Sequence, residues 1–522
     1  MGPRGILTFI EVSSPPTATS PATVASPPPA EAPPARGRRL PAIRTAFFEK
    51  VGLGVLALAA LVGYLVYPTY PNYDSYYSLL WGRELVGLDP LSFQAYRAPT
   101  EHPLAIAFGA LLQPLGDGAD RVMVACAVVS FVVLVAGIYA IGKTAFTPLV
   151  GFVAAALLVS RFDFPFLAAR GYIDIPYLAV VIWAAVIELR APRRHPVLVL
   201  SLLAAAGLMR PEAWLLAGVY WLWLVLRHDV TWSRRAIYAA LAAIGPLVWA
   251  AVDFAVTGNA LYSLTGTQDL AEELGRNKGG AAVPAALYSF LVKLAKFPVV
   301  VAGALGLVLA LVLTPRRALM PLVLFAIGAG TFALVGLAGL SVIDRYLLVP
   351  SLCVMVFAAV FIAGWTMLEP GSGWRRAWMT GAAAIVIFGV VFTATRVNLV
   401  QLHNELQFRG DSHTALERVL HDPAVTRGLR CGPVYVPNHK LIPDVRWILD
   451  RPQSGVLARS NVRSEKNPAP PPTRGVVLLV HDRPALFKQA WVTPADETAD
   501  NYPPAGYDRA ATSRYYAAYV NC

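Results

Sequence analysis

The sequence predicts a polytopic α-helical membrane protein of about eleven transmembrane helices, with a small α/β domain on the side away from the cytoplasm. Three observations point there. Of 522 residues, 56% are hydrophobic and only 15% charged, with a mean hydropathy of +0.53, whereas a soluble chain carries about a quarter charged residues. Apolar runs recur along most of the chain, and basic groups fall after every second run. The polar C-terminal segment alternates strand-like and helix-like stretches. The net charge of +12 would suit nucleic acid if it clustered on one face. Spread through short inter-helix loops it marks cytoplasmic loops instead, and no nucleic-acid partner is expected.

Residues 1–45 are rich in Pro, Ala, Ser and Thr, cannot bury a core, and read as a disordered cytoplasmic tail. Arg36, Arg38, Arg39 and Arg44 end it and hold the N-terminus inside. The runs that follow are Val51–Tyr67, Val122–Ile141, Leu149–Val159, Ile175–Leu189, Val197–Met209, Ala213–Leu226, Ala236–Val256, Phe297–Leu313, Ala318–Leu340, Tyr346–Trp365 and Trp378–Ala394. Lys143, the groups around Arg190 and Arg227, Arg316/Arg317 and Arg375/Arg376 then all lie on one side. Residues 46–397 form the transmembrane module of a multi-pass plasma (cytoplasmic) membrane protein. The first extracytoplasmic loop, 69–121, is large, and everything after Arg396 is extracytoplasmic. Spanning takes about 20 residues, so the two runs between Arg194 and Arg227 are short. Their hairpin tip, Met209–Glu212, is expected to stop within the outer interface.

In the last segment, 398–522, the strand candidates are Pro433–Val436, Gly475–His481 and Tyr515–Val520, and His413–Leu420 and Leu441–Leu449 read as helical. Cys126 and Cys353 lie in apolar runs and read as buried thiols. Cys431 and Cys522 both fall in the polar segment, where an oxidising compartment would let them pair.

No P-loop, GxGxxG, HExxH or GxSxG motif occurs. Ionisable residues instead gather near the outer face, where charge is costly and usually functional. Asp74, just beyond the first run, stands where a helix N-cap is expected. Arg83, Glu84, Asp89, Glu101 and His102 share its loop, and Leu104–Leu115 reads as an interfacial helix. Asp174 and Asp253 lie near outer helix ends; the first fits a cap, the second a partner for an arginine. Arg210 has Glu212 two residues away and Arg345 follows Asp344, so both also fit plain interfacial anchoring.

An acidic residue soon after the first transmembrane helix, followed by two interfacial helices, resembles the GT-C glycosyltransferases. These include protein O-mannosyltransferases and the lipid A aminoarabinose transferase. Tyr73–Asp89, Glu101-His102-Pro103-Leu104, Arg210-Pro211-Glu212-Ala213-Trp214, Asp344-Arg345-Tyr346-Leu347 and Cys431–Asp450 are similar to actinobacterial membrane glycosyltransferases in particular. The first loop departs from the mannosyltransferase pattern, with Asp74-Ser75 in place of Asp-Glu. The resemblance implies a GT-C fold and an inverting hexosyl- or pentosyltransferase. Its donor would be a polyprenyl-phosphate sugar, and its acceptor an extracytoplasmic glycan, lipid or protein. Asp74 would be the general base. His102, Arg210 and Arg345 would meet the donor phosphate, with Glu84, Glu101, Asp174 and Glu212 as supporting acids. Metal use is left open: the first loop has carboxylates enough for a divalent cation (Mg, Mn or Ca), but no His/Cys cluster. The alternative reading is a transporter or lipid-sugar flippase, which calls for charged or broken helices nearer the bilayer midplane.

Overall fold

The computed structural model describes residues 40–226, 229–276, 279–396, 399–463, 470–490 and 501–522. The expected disordered tail, 1–45, lies almost wholly outside them. The helices are α1 (Leu40–Val66), α2 (Tyr73–Gly87), α3 (Pro103–Leu112), α4 (Ala119–Ala145), α5 (Pro148–Val159), α6 (Asp163–Ala169), α7 (Asp174–Arg190), α8 (Pro196–Met209), α9 (Glu212–Val225), α10 (Trp232–Thr257), α11 (Tyr262–Glu273), α12 (Val283–Ala295), α13 (Phe297–Leu313), α14 (Pro315–Leu337), α15 (Leu348–Ala363), α16 (Gly373–Arg396), α17 (Leu399–Leu420), α18 (Pro423–Gly428) and α19 (Ile442–Ile448). Among the described residues five helices are long and apolar enough to cross a membrane. The number rises to seven if two bent pairs each count as one span. The chain is a membrane protein.

Each apolar run of the sequence has its greater part in a helix. The sharper of the two bends has a local cause. Between α12 and α13, which meet at 104°, Lys296 adopts φ +75° and Pro298 cannot donate to the preceding turn. Helices α8 and α9 have 14 residues each, roughly 21 Å at 1.5 Å per residue, well short of a hydrocarbon core of about 30 Å.

Helix α15 is the axis of the helical part. Its residues are buried on every face between α13, α14 and α5. By contrast Val55, Leu58 and Leu65 of α1 are more than 60% exposed, the pattern of side chains that meet lipid. Gly306 lets α13 approach α15, because a Cβ there would stand 1.8 Å from the Phe357 carbonyl oxygen.

Outside the long helices, α2 and α3 cross closely. Asn72 accepts from the Ser75 amide and so caps α2, which corrects the expectation that Asp74 is the cap. Gly82 and Gly109 make the crossing: a Cβ on Gly82 would lie 2.3 Å from the Ala110 nitrogen, and one on Gly109 2.4 Å from the Ser78 carbonyl oxygen.

The C-terminal segment carries a five-stranded sheet in the order β2 (Val456–Ala458), β1 (Val434–Val436), β3 (Gly475–Val480), β5 (Tyr516–Asn521), β4 (Asp508–Thr512). Strand β1 pairs parallel with β2 and β3, while β5 pairs antiparallel with β3 and β4. Strand β3, buried at every position, packs with α17, α18 and α19. Cys431 and Cys522 are joined as a disulfide across 91 residues.

Candidate active site

Five helix N-termini converge on the expected residues. Asp74 is in the first turn of α2, and Asp174 and Glu212 open α7 and α9. His102 precedes α3, and Arg345 lies in the short 3-10 turn, Asp344–Leu347, that feeds α15. Carboxylates at such ends are stabilised by the partial positive charge of unpaired amides.

Backbone contacts set the approach. The Asn72 amide donates to the Arg170 carbonyl at 2.8 Å, and the Ser75 hydroxyl to the Gly171 carbonyl at 2.7 Å. Gly171 turns with φ +62°, a conformation glycine adopts without strain. These bonds fasten the start of α2 beside the start of α7, bringing Asp74 and Asp174 to one place.

The side chains then form a chain of charges. Arg345 Nη1 donates to Asp74 Oδ2 at 2.9 Å and to Asp174 Oδ2 at 3.4 Å. Arg210 donates through Nη1 to the other oxygen of Asp174, and through Nε and Nη2 to Glu212 Oε1 at 3.0 and 2.5 Å. Three carboxylates thus alternate with two guanidiniums drawn from four distant segments. The Arg345 side chain is 30% exposed and that of Arg210 only 7%. Arg210 is therefore enclosed by Asp174 and Glu212, with the Tyr346 ring 5.4 Å away. Arg345 is the guanidinium with an open side.

Burial works against ionisation of Asp74, yet Arg345 beside it holds the carboxyl below its ordinary range. His102 lies within electrostatic reach of Asp74 and Arg210, and burial pushes its imidazole down to about 4. It is neutral at pH 7. Among the described residues its buried Nδ1 has no hydrogen-bond partner, and its ring lies T-shaped to that of Trp249 with centroids 5.8 Å apart.

Two expected acids stand elsewhere. Glu84, at the far end of α2, accepts from the Ser92 amide at 2.8 Å and from Arg446 of α19 at 2.7 Å. At 1.5 Å per residue it lies about 15 Å along α2 from Asp74, and it fastens the loop to the sheet region. Glu101 accepts from Ser263 at 2.8 Å. Asp253 also takes Ser263, through its hydroxyl and its amide, rather than the arginine the sequence suggested. Asp344 pairs with Lys293 at 2.5 Å, which leaves Arg345 to the acids. Among the described residues no group of three or more His, Cys, Asp or Glu is placed to hold a metal ion.

Sequence reasoning missed Arg276. It is exposed on the turn between α11 and α12, close enough for Arg345 and Asp74 to act on its charge. Its signal was there: Arg276 is a basic residue in a loop that the charge alternation assigns to the outer side. It also missed Arg170, 7% exposed, whose guanidinium lies 3.8 Å over the Tyr70 ring.

Among solved structures, the chain is similar to ArnT from Cupriavidus metallidurans bound to undecaprenyl phosphate. The TM-score is 0.51 at 12% identity, over 90% of this chain and 98% of that one. The apo form of the same protein gives 0.51 at 13% identity, over 91% and 98%. An Archaeoglobus fulgidus oligosaccharyltransferase with a tethered acceptor peptide gives 0.47 at 12% identity, over 79% of this chain and 64% of that one, a likeness too slight to bear on the fold. No protein-family model and no curated protein sequence matches the chain. The agreement with ArnT along nearly both full lengths shows that the chain shares its fold.

Proposed function

We propose that the protein is a GT-C glycosyltransferase that moves a sugar, with inversion, from a polyprenyl-phosphate donor to an extracytoplasmic glycan, lipid or protein. About eleven helices cross or enter the membrane in this reading, and the sheet-bearing C-terminal segment lies outside it, over the site. The observation that carries the proposal is Arg345: one guanidinium, partly open, shared between Asp74 and Asp174 at the meeting of five helix N-termini.

Such a reaction needs a base beside the acceptor hydroxyl and cations at the departing phosphate. With no donor bound, Arg345 neutralises Asp74. A phosphate arriving at its open side would draw the guanidinium away, and Asp74 would regain its proton affinity as the acceptor needs a base. His102, being neutral, would donate a hydrogen bond without adding charge, and the exposed Arg276 would add a second cation. Arg210, closed on two carboxylates, would act through Asp174 to fix Arg345 rather than touch phosphate. The ArnT structure supports the donor class, since its bound lipid is undecaprenyl phosphate.

The test is transfer from labelled polyprenyl-phosphate sugars in proteoliposomes. Asp74→Asn should lower turnover by about 10²–10⁴-fold, the usual worth of a general base, with expression intact. Full activity in that variant would remove Asp74 from the base role.

A further inference from the structure

Ser263, near the start of α11, gathers more polar neighbours than its hydroxyl can serve with one proton. Its Oγ accepts from Trp249 Nε1 at 2.7 Å, and lies 2.8 Å from both Glu101 Oε2 and Asp253 Oδ1. A hydroxyl has one hydrogen and two acceptor positions, and the indole N–H can only donate. One acceptor position is therefore filled by Trp249, and the hydrogen points to one carboxyl. The remaining lone pair faces the other carboxyl oxygen. An ionised carboxylate is acceptor-only, so that contact is attractive only when the second carboxyl carries a proton.

The surroundings agree. Glu101 is 2% and Asp253 1% exposed, and among the described residues neither is in an ion pair with a cation. Burial, aided by Asp253, pushes the Glu101 carboxyl up to about 7. The other titratable groups facing the pair are Tyr262 and, through it, Asp269 of α11; His102 follows Glu101 directly and is neutral. Thr100 meets Thr267 at 2.7 Å, a second tie between the same stretch of the first loop and α11.

We propose that Glu101 and Asp253 hold a single proton between them through Ser263, and that this proton fastens the Thr100–His102 strap to the α10–α11 turn and so sets the aim of His102. The three are positioning residues. Loss of the proton leaves two like charges on one hydroxyl, loosens the strap and frees the imidazole from its place. This holds whatever the protein transfers.

Infrared spectroscopy of the purified full-length protein tests it. Wild-type-minus-variant difference spectra at neutral pH should show the same protonated-carboxyl C=O band for Glu101→Gln and for Asp253→Asn, apart from the bands of other buried acids that all three proteins share. Each amide supplies the missing N–H donor without titrating. Both variants should therefore fold, and both should flatten the fall in melting temperature expected of wild type as pH rises from about 4.5 to about 7. Difference spectra lacking that band for both variants, an unchanged fall in melting temperature between about pH 4.5 and 7 in both, or failure of both neutral mimics to fold would each overturn the shared proton.

Discussion

Arg210 and Arg345 have the same side chain and opposite situations. Arg210 is closed on Asp174 and Glu212, so Arg210→Met strands two buried carboxylates. Removing one partner of such a set costs about 3–5 kcal/mol, and thermal unfolding in detergent should register that loss. Arg345→Gln should instead keep most of the stability and lose donor binding, because its guanidinium is part open. The α19 residue Asp444 gives a pH prediction. Burial, against the pull of Arg170 and Arg409, raises its carboxyl to about 7. The folded state thus holds a proton that the unfolded state gives up near 4. The stability this carboxyl contributes is present below about 4 and is lost as pH rises to about 7. Asp444→Asn should flatten that part of the curve and raise the melting temperature at pH 8; a variant less stable than wild type there would contradict the neutral assignment. At this scale the sequence located residues better than roles. Asp74, Asp174, Arg210, Glu212 and Arg345 meet in one cluster, as the common face that the charge alternation expects for them suggested. Local spacing alone, however, could not say that Asn72 rather than Asp74 caps α2, or that Asp174 takes Arg210 from another hairpin.

Helices α2 and α3 carry Asp74 and His102, and their separation is set by two glycines. Gly82→Ala would press a methyl group into the Ala110 backbone, where nothing can rotate aside. Overpacking of this kind costs about 1–3 kcal/mol. Here it should also move Asp74 relative to His102, so activity should fall further than the melting temperature alone would explain. Gly218→Ala, with no atom within 4 Å of its Cβ, is the matched control. The helices were legible because apolar runs of that length leave few choices. Strands β1, β3 and β5 were legible as Val- and Tyr-rich stretches. Strand β2, three residues after a Pro-Gln-Ser-Gly turn, was too short to show a period. Strand β4, Asp-Arg-Ala-Ala-Thr on the sheet edge, lacks the apolar alternation that marks a strand. The bend between α12 and α13 was hidden as well, since hydropathy carries no directional information.

For the whole molecule, the charge alternation makes one claim about sidedness on which the chemistry depends. If Asp74 faces the cytoplasm, a polyprenyl-phosphate sugar has no reason to be its donor. The bond between Cys431 and Cys522 ties the last strand back to the segment before β1, and such bonds persist where the compartment is oxidising. Replacing both cysteines with serine should cost roughly 2–4 kcal/mol, and reduction should lower the melting temperature of wild type but not of that variant. The most direct measurement is binding of polyprenyl monophosphate to the purified protein by native mass spectrometry. Wild type should retain the lipid, Arg345→Gln should lose at least tenfold in affinity, and Asp74→Asn should bind at least as well as wild type while failing to transfer. Equal lipid retention by wild type and Arg345→Gln, or no retention by either, would contradict the assignment of this cluster to a lipid-phosphate donor.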